Sequence, residues 1–307
     1  MAPLVWLITG CTSGIGLALV NGILARGDKV IATGRNITTR LAHLKDAPSS
    51  DSLALLDLDV TDPLSTVQST VTQAVSIFGC IDVLVNNAGK SKLSSIEEAS
   101  EDAVRSIFDV NLFGAIKTTQ AVLPHMRAAK KGTVVFIGAG LGWVSMPFLT
   151  HYSLTKASLT MFAEGLQKEI GPLGLRSVIF EPGGFAETRL AESREGDPFG
   201  APPQIEDYLP LFGKVFGGKS LADSIPGDIA KLPDAIIDVV KGEGLAKGRP
   251  FPLRVLLGSD TLDAVRQKIN EQTQLIDTWE DVTLSVVKEG RRETGPWLLK
   301  NCSILKN

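Results

Sequence analysis

A chain of 307 residues, 44 % hydrophobic and 21 % charged, carries enough apolar side chains to bury a sizeable core without disulfides or metals. Its formal net charge of -3 comes from interspersed Lys, Arg, Asp and Glu, which present no basic face to a phosphate backbone and argue against a nucleic-acid partner. Cys11, Cys80 and Cys302 are far apart, odd in number and without a C-x-x-C pair, so neither a disulfide framework nor a zinc site is expected, and a reducing, cytoplasmic compartment is.

The first apolar run, residues 4–9, is far shorter than the ~20 residues of a membrane span and reads as a buried strand. Further Val/Ile/Leu runs at 29–33, 52–58, 82–85, 133–137 and 175–180 alternate with amphipathic stretches such as 63–78, 101–129 and 153–170. Continuous apolar runs alternating with helical patterns predict an α/β fold, a doubly wound parallel sheet with helices on both faces. After Pro182 the pattern loosens, and residues 183–226, rich in Gly and Pro, read as a binding lid or a disordered stretch. Helical periodicity returns at 227–241, a seventh strand is expected at 252–257, and 261–284 reads as a surface helix. Nothing separates a second domain. The expectation is one domain over 1–307, with a lid at about 183–226 and a C-terminal helical extension at about 261–307.

Directly after the first strand comes Thr9-Gly10-Cys11-Thr12-Ser13-Gly14-Ile15-Gly16, followed by an apolar-periodic helix. Glycines permit a tight turn and close backbone approach, and a helix N-terminus offers free N–H groups and positive dipole to a pyrophosphate. Three further motifs follow in order: Asn86-Asn87-Ala88-Gly89 after the fourth strand, Asn111 in the next helical stretch, and Tyr152-Ser-Leu-Thr-Lys156. Together they resemble the short-chain dehydrogenase/reductase family over roughly residues 4–260, which implies a seven-stranded Rossmann fold and hydride transfer with a nicotinamide dinucleotide. On that resemblance Gly10, Thr12, Ser13, Gly14, Ile15, Gly16, Asn87, Ala88 and Gly89 hold the cofactor, and Asp59-Val60 matches a pair whose aspartate receives the adenine amino group. Pro182-Gly183 matches a nicotinamide-facing turn. The family usually has a threonine five residues after that proline; here Glu187 stands there and Thr188 follows, so Thr188 is carried over one position late.

The second strand ends Ala32-Thr33-Gly34-Arg35-Asn36 with no acid for a ribose 2′-hydroxyl, and Arg35 suits a 2′-phosphate, so NADP(H) is the expected cofactor.

Tyr152 and Lys156, four residues apart on a helix, share one face. A phenol titrates near 10, so moving a proton near neutrality needs a lowered pKa, which a neighbouring ammonium supplies. The resemblance makes Tyr152 the proton donor to a carbonyl oxygen, lets Lys156 also hold the cofactor ribose, and gives Asn111 a relay water. The family serine that bonds the substrate oxygen lies thirteen residues before the tyrosine, at Ala139, and Gly138 precedes it, so a slip of one residue restores no hydroxyl. Three explanations stay open: an inactivating substitution, a natural site in which Ser145 or His151 donates instead, or loss of redox chemistry. The last would make the chain a non-redox NADP(H)-binding protein, cyclase-like or regulatory.

The apolar segment 140–149 suggests Trp143, Ser145, Met146 and Phe148 as substrate residues, with Phe185 from the lid. The expected substrate is a bulky, mostly apolar carbonyl, alcohol or imine, such as a lipid, steroid-like or secondary-metabolite scaffold. Helices around 101–129 and 153–170 commonly form a four-helix interface in this family, which implies a homodimer or homotetramer and leaves a monomer open.

Overall fold

The computed structural model describes residues 2–46, 50–185, 202–217 and 225–288. Seven strands form the sheet: β1 Val5–Ile8, β2 Lys29–Gly34, β3 Leu53–Asp57, β4 Val83–Asn86, β5 Thr133–Ile137, β6 Arg176–Pro182 and β7 Arg254–Leu257. All pair in parallel in the order β3-β2-β1-β4-β5-β6-β7. Leu7 is registered with Ile31 on one side and Leu84 on the other, so the chain winds outward from β1 in both directions. That reversal opens a crevice at the carboxyl ends of β1 and β4, where ligands bind in sheets of this kind.

The helices are α1 Gly14–Ala25, α2 Ile37–Arg40, α3 Leu64–Phe78, α4 Glu101–Phe108, α5 Gly114–Ala129, α6 Thr150–Ile170, α7 Leu209–Phe216, α8 Leu232–Lys241, α9 Ser259–Thr278 and α10 Glu280–Leu284. Side-chain alternation along the strands divides the core in two. Leu7, Leu84 and Phe136 face α3, α5 and α6, packing with Val67, Val122 and Leu159. Trp6, Ile8 and Phe180 face α1 and α8, packing with Leu19, Ile23 and Ile236. Each such side chain, removed from water, stabilises the fold by about 1.5–3 kcal/mol. Arg26 at the end of α1 binds Asp234 and Asp238 of α8 and Glu243 just beyond it, fastening the two helices.

The 101–129 stretch is continuous but not uniform: a π-helical turn, Asp109–Phe113, joins α4 to α5 and carries Asn111. The expected seventh strand forms at the outer edge, and the surface helix divides into α9 and α10 at Trp279. Of the lid, residues 183–185, 202–217 and 225–226 are described, and the middle stretch contains α7. Among the described residues no helix is long and apolar enough to cross a membrane.

Candidate active site

The glycine turn lies at the centre of the crevice. Gly10 has φ +73°, and a Cβ there would lie 2.8 Å from the Ala88 Cα, while one at Gly16 would lie 2.4 Å from the Gly10 carbonyl oxygen. Both positions therefore require glycine. Asn87 fastens the turn to the end of β4: its Nδ2 donates to the carbonyls of Thr9 (2.8 Å) and Gly10 (3.1 Å). Thr9 Oγ1 in turn accepts from the amides of Asn87 and Ala88, both at 3.0 Å. Ser13 is the N-cap of α1 yet its side chain bonds none of the helix's N–H groups. Thr12 packs against Gly34, where a Cβ would come within 3.1 Å of its methyl, so the turn abuts the end of β2.

Arg35 is exposed just beyond β2, and Asn36 follows in the left-handed region at φ +52°. Asp59 Oδ1 accepts from Thr61 N (2.9 Å) and Oγ1 (2.7 Å). Burial opposes ionisation of Asp59, but the Thr61 bonds and the charges of Arg35 and Lys117 outweigh it and hold the carboxyl below its usual range. Val60 is buried against Gly114 at the start of α5.

Tyr152 and Lys156 sit on the first two turns of α6, 6 % and 4 % exposed. Lys156 Nζ donates to the Ile137 carbonyl at 2.7 Å and lies 5.6 Å from the centre of the Tyr152 ring. A Cβ on Gly89 would lie 3.8 Å from Nζ and 3.5 Å from Asn111 Oδ1, so the end of β4 forms the floor beneath the pair. Asn111 binds the Lys90 backbone in both directions, accepting at 2.8 Å and donating at 2.9 Å, and donates to Thr155 Oγ1 at 3.0 Å. The π turn is where this side chain leaves the helix surface, a common use of such bulges. One expectation is corrected here. Burial, with no charge effect to counter it, pushes the Tyr152 phenol up rather than down, and burial lowers Lys156 to about 8.

Ala139 is buried, with extended backbone at φ -166°, at the N-cap of a short 3-10 turn, Gly140–Gly142. Of the two replacement donors, Ser145 is exposed, while His151 Nε2 is buried and has no hydrogen-bond partner.

The substrate residues separate. Trp143 is engaged elsewhere: its Nε1 donates to Glu181 at 3.0 Å, the Arg254 guanidinium stacks on it at 3.9 Å, and it borders a groove between α6 and α9. Phe185 is also redirected, because the open space above Gly227 admits its ring into the α1–α8 core. Met146 is half-buried. Phe148 meets the lid, stacking edge-on with Phe212 at 5.3 Å. Thr188 lies outside the described residues. Pro182 ends β6, and Gly183 N donates to the Leu257 carbonyl at 2.8 Å.

Two groups of residues escaped sequence reasoning. Asp260 accepts from Gly184 N at 2.7 Å, and its carboxylate fills the space a Cβ on Gly183 would take. Glu98 Oε1 accepts from the lid amides of Gln204 (2.6 Å) and Ile205 (2.9 Å), and Tyr208 donates to Glu97 at 2.9 Å. These contacts span 76 to 111 positions, and no local pattern announces them.

The profile of the family described as short chain dehydrogenase matches residues 4–198. Oxidoreductase BOA17 of Botryotinia fuckeliana is 28 % identical over 281 residues, 92 % of this chain and 98 % of that protein. The 3-ketodihydrosphingosine reductase of Bacteroides thetaiotaomicron is 31 % identical over 216 residues, 69 % of this chain and 74 % of that one. Among solved structures, a short-chain dehydrogenase from Streptomyces avermitilis superposes with a TM-score of 0.76 at 32 % identity, covering 92 % of this chain and 98 % of its own. A serine dehydrogenase complexed with NADP+ shares the fold, with a TM-score of 0.66 at 24 % identity over 84 % of this chain and 96 % of its own. A profile over more than half the chain, on a seven-stranded parallel sheet of the matching kind, identifies this oxidoreductase as a member of the short chain dehydrogenase family.

Proposed function

We propose that the chain is an NADPH-dependent reductase of a bulky, mostly apolar carbonyl or imine, with alcohol oxidation as the reverse reaction at the same site. The observation that carries this reading is the buried Tyr152–Lys156 pair above Gly89 and Asn111, beside an α1 N-terminus whose N-cap side chain leaves its N–H groups free. The cradle fits a dinucleotide: Gly10 and Gly16 leave no room for side chains, and free N–H groups with a positive dipole suit a pyrophosphate. Gly14 and Ile15 open α1 there, Asp59 keeps Oδ2 for an adenine amino group, and the Pro182-Gly183 turn stands at the nicotinamide end.

NADPH, when bound, supplies the hydride. Tyr152, protonated near neutrality, holds the proton delivered to the carbonyl oxygen. Lys156 is placed to bind ribose hydroxyls, while Asn111 orders the Lys90 loop and Thr155 around the pair. Arg35, exposed at the end of β2, offers a forked contact to a 2′-phosphate. The lipid ketone named for the Bacteroides reductase agrees with an apolar substrate. We place the chain in the cytoplasm as a homodimer or homotetramer.

Calorimetric titration tests the cofactor. Arg35→Ala is expected to weaken NADPH at least about tenfold and NADH by less than about twofold; an equal loss for both contradicts the assignment. A second reading, a non-redox NADP(H)-binding protein, has one observation in its favour, the methyl group of Ala139 where a hydroxyl would grip the substrate oxygen.

A further inference from the structure

Phe148 has φ +67°, a backbone region that an aromatic residue rarely occupies. Such conformations persist where the surroundings over-determine them, and they cluster at binding sites. Two sets of contacts hold this one. Its carbonyl accepts from Ser94 N at 3.0 Å, and its ring meets Tyr208, Phe212 and Phe216 of the lid at 6.5, 5.3 and 6.1 Å. The unusual turn thus directs the ring out of its own loop and into the lid.

Beside it is a cleft of about 180 Å³, with Leu93, Phe148, Phe212 and the lid prolines Pro202 and Pro203 on its apolar side and Ser94, Ser95 and Glu98 on its polar side. Apolar cavities of about 150 Å³ accept benzene, so the cleft has room for one ring. Among the described residues its one charged lining side chain is an acid. Glu98 receives Ser95 Oγ at 2.6 Å and the two lid amides, bonds that hold it ionised. An anionic substituent would meet this carboxylate with no cation among the described lining residues to offset it. Phe148 lies two residues before α6 and four before Tyr152, and Leu93–Ser95 follow Gly89 by four to six residues, so two walls of the cleft run on from the segments that carry the Tyr152–Lys156 pair and its floor.

We propose that this cleft is the specificity subsite of the reductase, that Phe148 is its determining residue, and that it accepts an uncharged, single-ring-sized apolar group joined by a short spacer to the reacting carbonyl. The inference rests on the reductase reading and deepens it by naming the substrate class. Phosphorylated or carboxylated substituents are rejected at this subsite.

Calorimetry on the full chain with saturating NADP+ tests it, using the alcohol of benzylacetone and its para-carboxylate as probes. The neutral alcohol is expected to bind at least about tenfold tighter than the carboxylate. Glu98→Gln, whose amide oxygen still accepts the lid N–H groups, is expected to bring the two within about threefold. Phe148→Ala and Phe212→Ala each weaken the neutral alcohol about tenfold. Phe212 is half-buried on the lid, so its variant keeps the fold and the Tm if Phe148→Ala does not. Equal affinity for the two alcohols, or undiminished affinity in Phe212→Ala, overturns the proposal. Turnover of benzylacetone is read separately: binding as expected without NADPH oxidation defeats the reductase reading alone, whereas ketone turnover without ring preference defeats the subsite alone.

Discussion

An ammonium group sealed from water loses most of its hydration, and at Lys156 the Ile137 carbonyl is the hydrogen-bond partner among the described residues that replaces it. Its pKa near 8 in the folded chain lies below the unfolded value near 10.4. Between these values the unfolded chain binds more protons, so this residue makes stability rise with pH from about 8 to 10, by on the order of 3 kcal/mol over the full window. Tyr152 acts oppositely: a raised pKa means the folded chain retains a proton that the unfolded chain releases, and stability falls above about pH 10. Urea denaturation at a series of pH values should show that rise and its disappearance in Lys156→Met. A rise that persists in the variant would place its origin elsewhere. Ala139 allows a second test at this scale. Its extended backbone suits serine without strain, and one preorganised donor is worth ~10²–10³ in rate, so Ala139→Ser should raise kcat by that factor in a ketone reduction assay. No gain over a measurable turnover would mean that another donor, such as His151, already grips the oxygen, whereas no turnover in either form would favour the non-redox reading. The sequence displays the Tyr152–Lys156 pair because helical spacing alone puts both on one face. It could not give the directions of Trp143 and Phe185. Each depends on a partner distant in the chain, Glu181 for the indole and Gly227 for the ring.

At the scale of elements, the segment between β5 and α6 is braced through Trp143. Glu181 on β6 is fully buried and receives Arg254 of β7 through both oxygens, at 3.1 and 2.7 Å, together with Trp143 Nε1 and Thr160 Oγ1. Removing one partner of a buried pair strands the other charge, typically at about 3–5 kcal/mol. Arg254 is a quarter exposed, so Arg254→Met should cost near the lower end, about 3 kcal/mol, in urea denaturation. A loss below about 1 kcal/mol would show that water or Thr160 suffices for the carboxylate. Neither Glu181 nor Arg254 stands out in the sequence, since a charge inside an apolar strand gives no sign of the partner that neutralises it. The lid was legible only as a stretch rich in Gly and Pro. Its attachment through Glu98 and Tyr208 joins segments about a hundred residues apart, beyond any helical or strand period. The π turn at Asn111 was hidden for a related reason, because one inserted residue leaves the apolar repeat of a long helix nearly intact.

For the whole molecule, the sheet was the most legible feature. Strands buried on both faces read as unbroken Val/Ile/Leu runs, and the intervening helices have one apolar face each, so class and element order follow from periodicity alone. The same winding places the glycine turn, the floor of β4 and the Tyr152 helix around one crevice, even though their residues are scattered from Gly10 to Lys156. Hydride transfer in that crevice is the central claim, and isotope transfer tests it most directly. With deuterium-labelled NADPH and benzylacetone, the account predicts deuterium on the carbinol carbon in step with cofactor oxidation, and at least about a hundredfold slower transfer in Tyr152→Phe. Cofactor that binds tightly while no deuterium reaches the product, or transfer that is unchanged without the phenol, would contradict it.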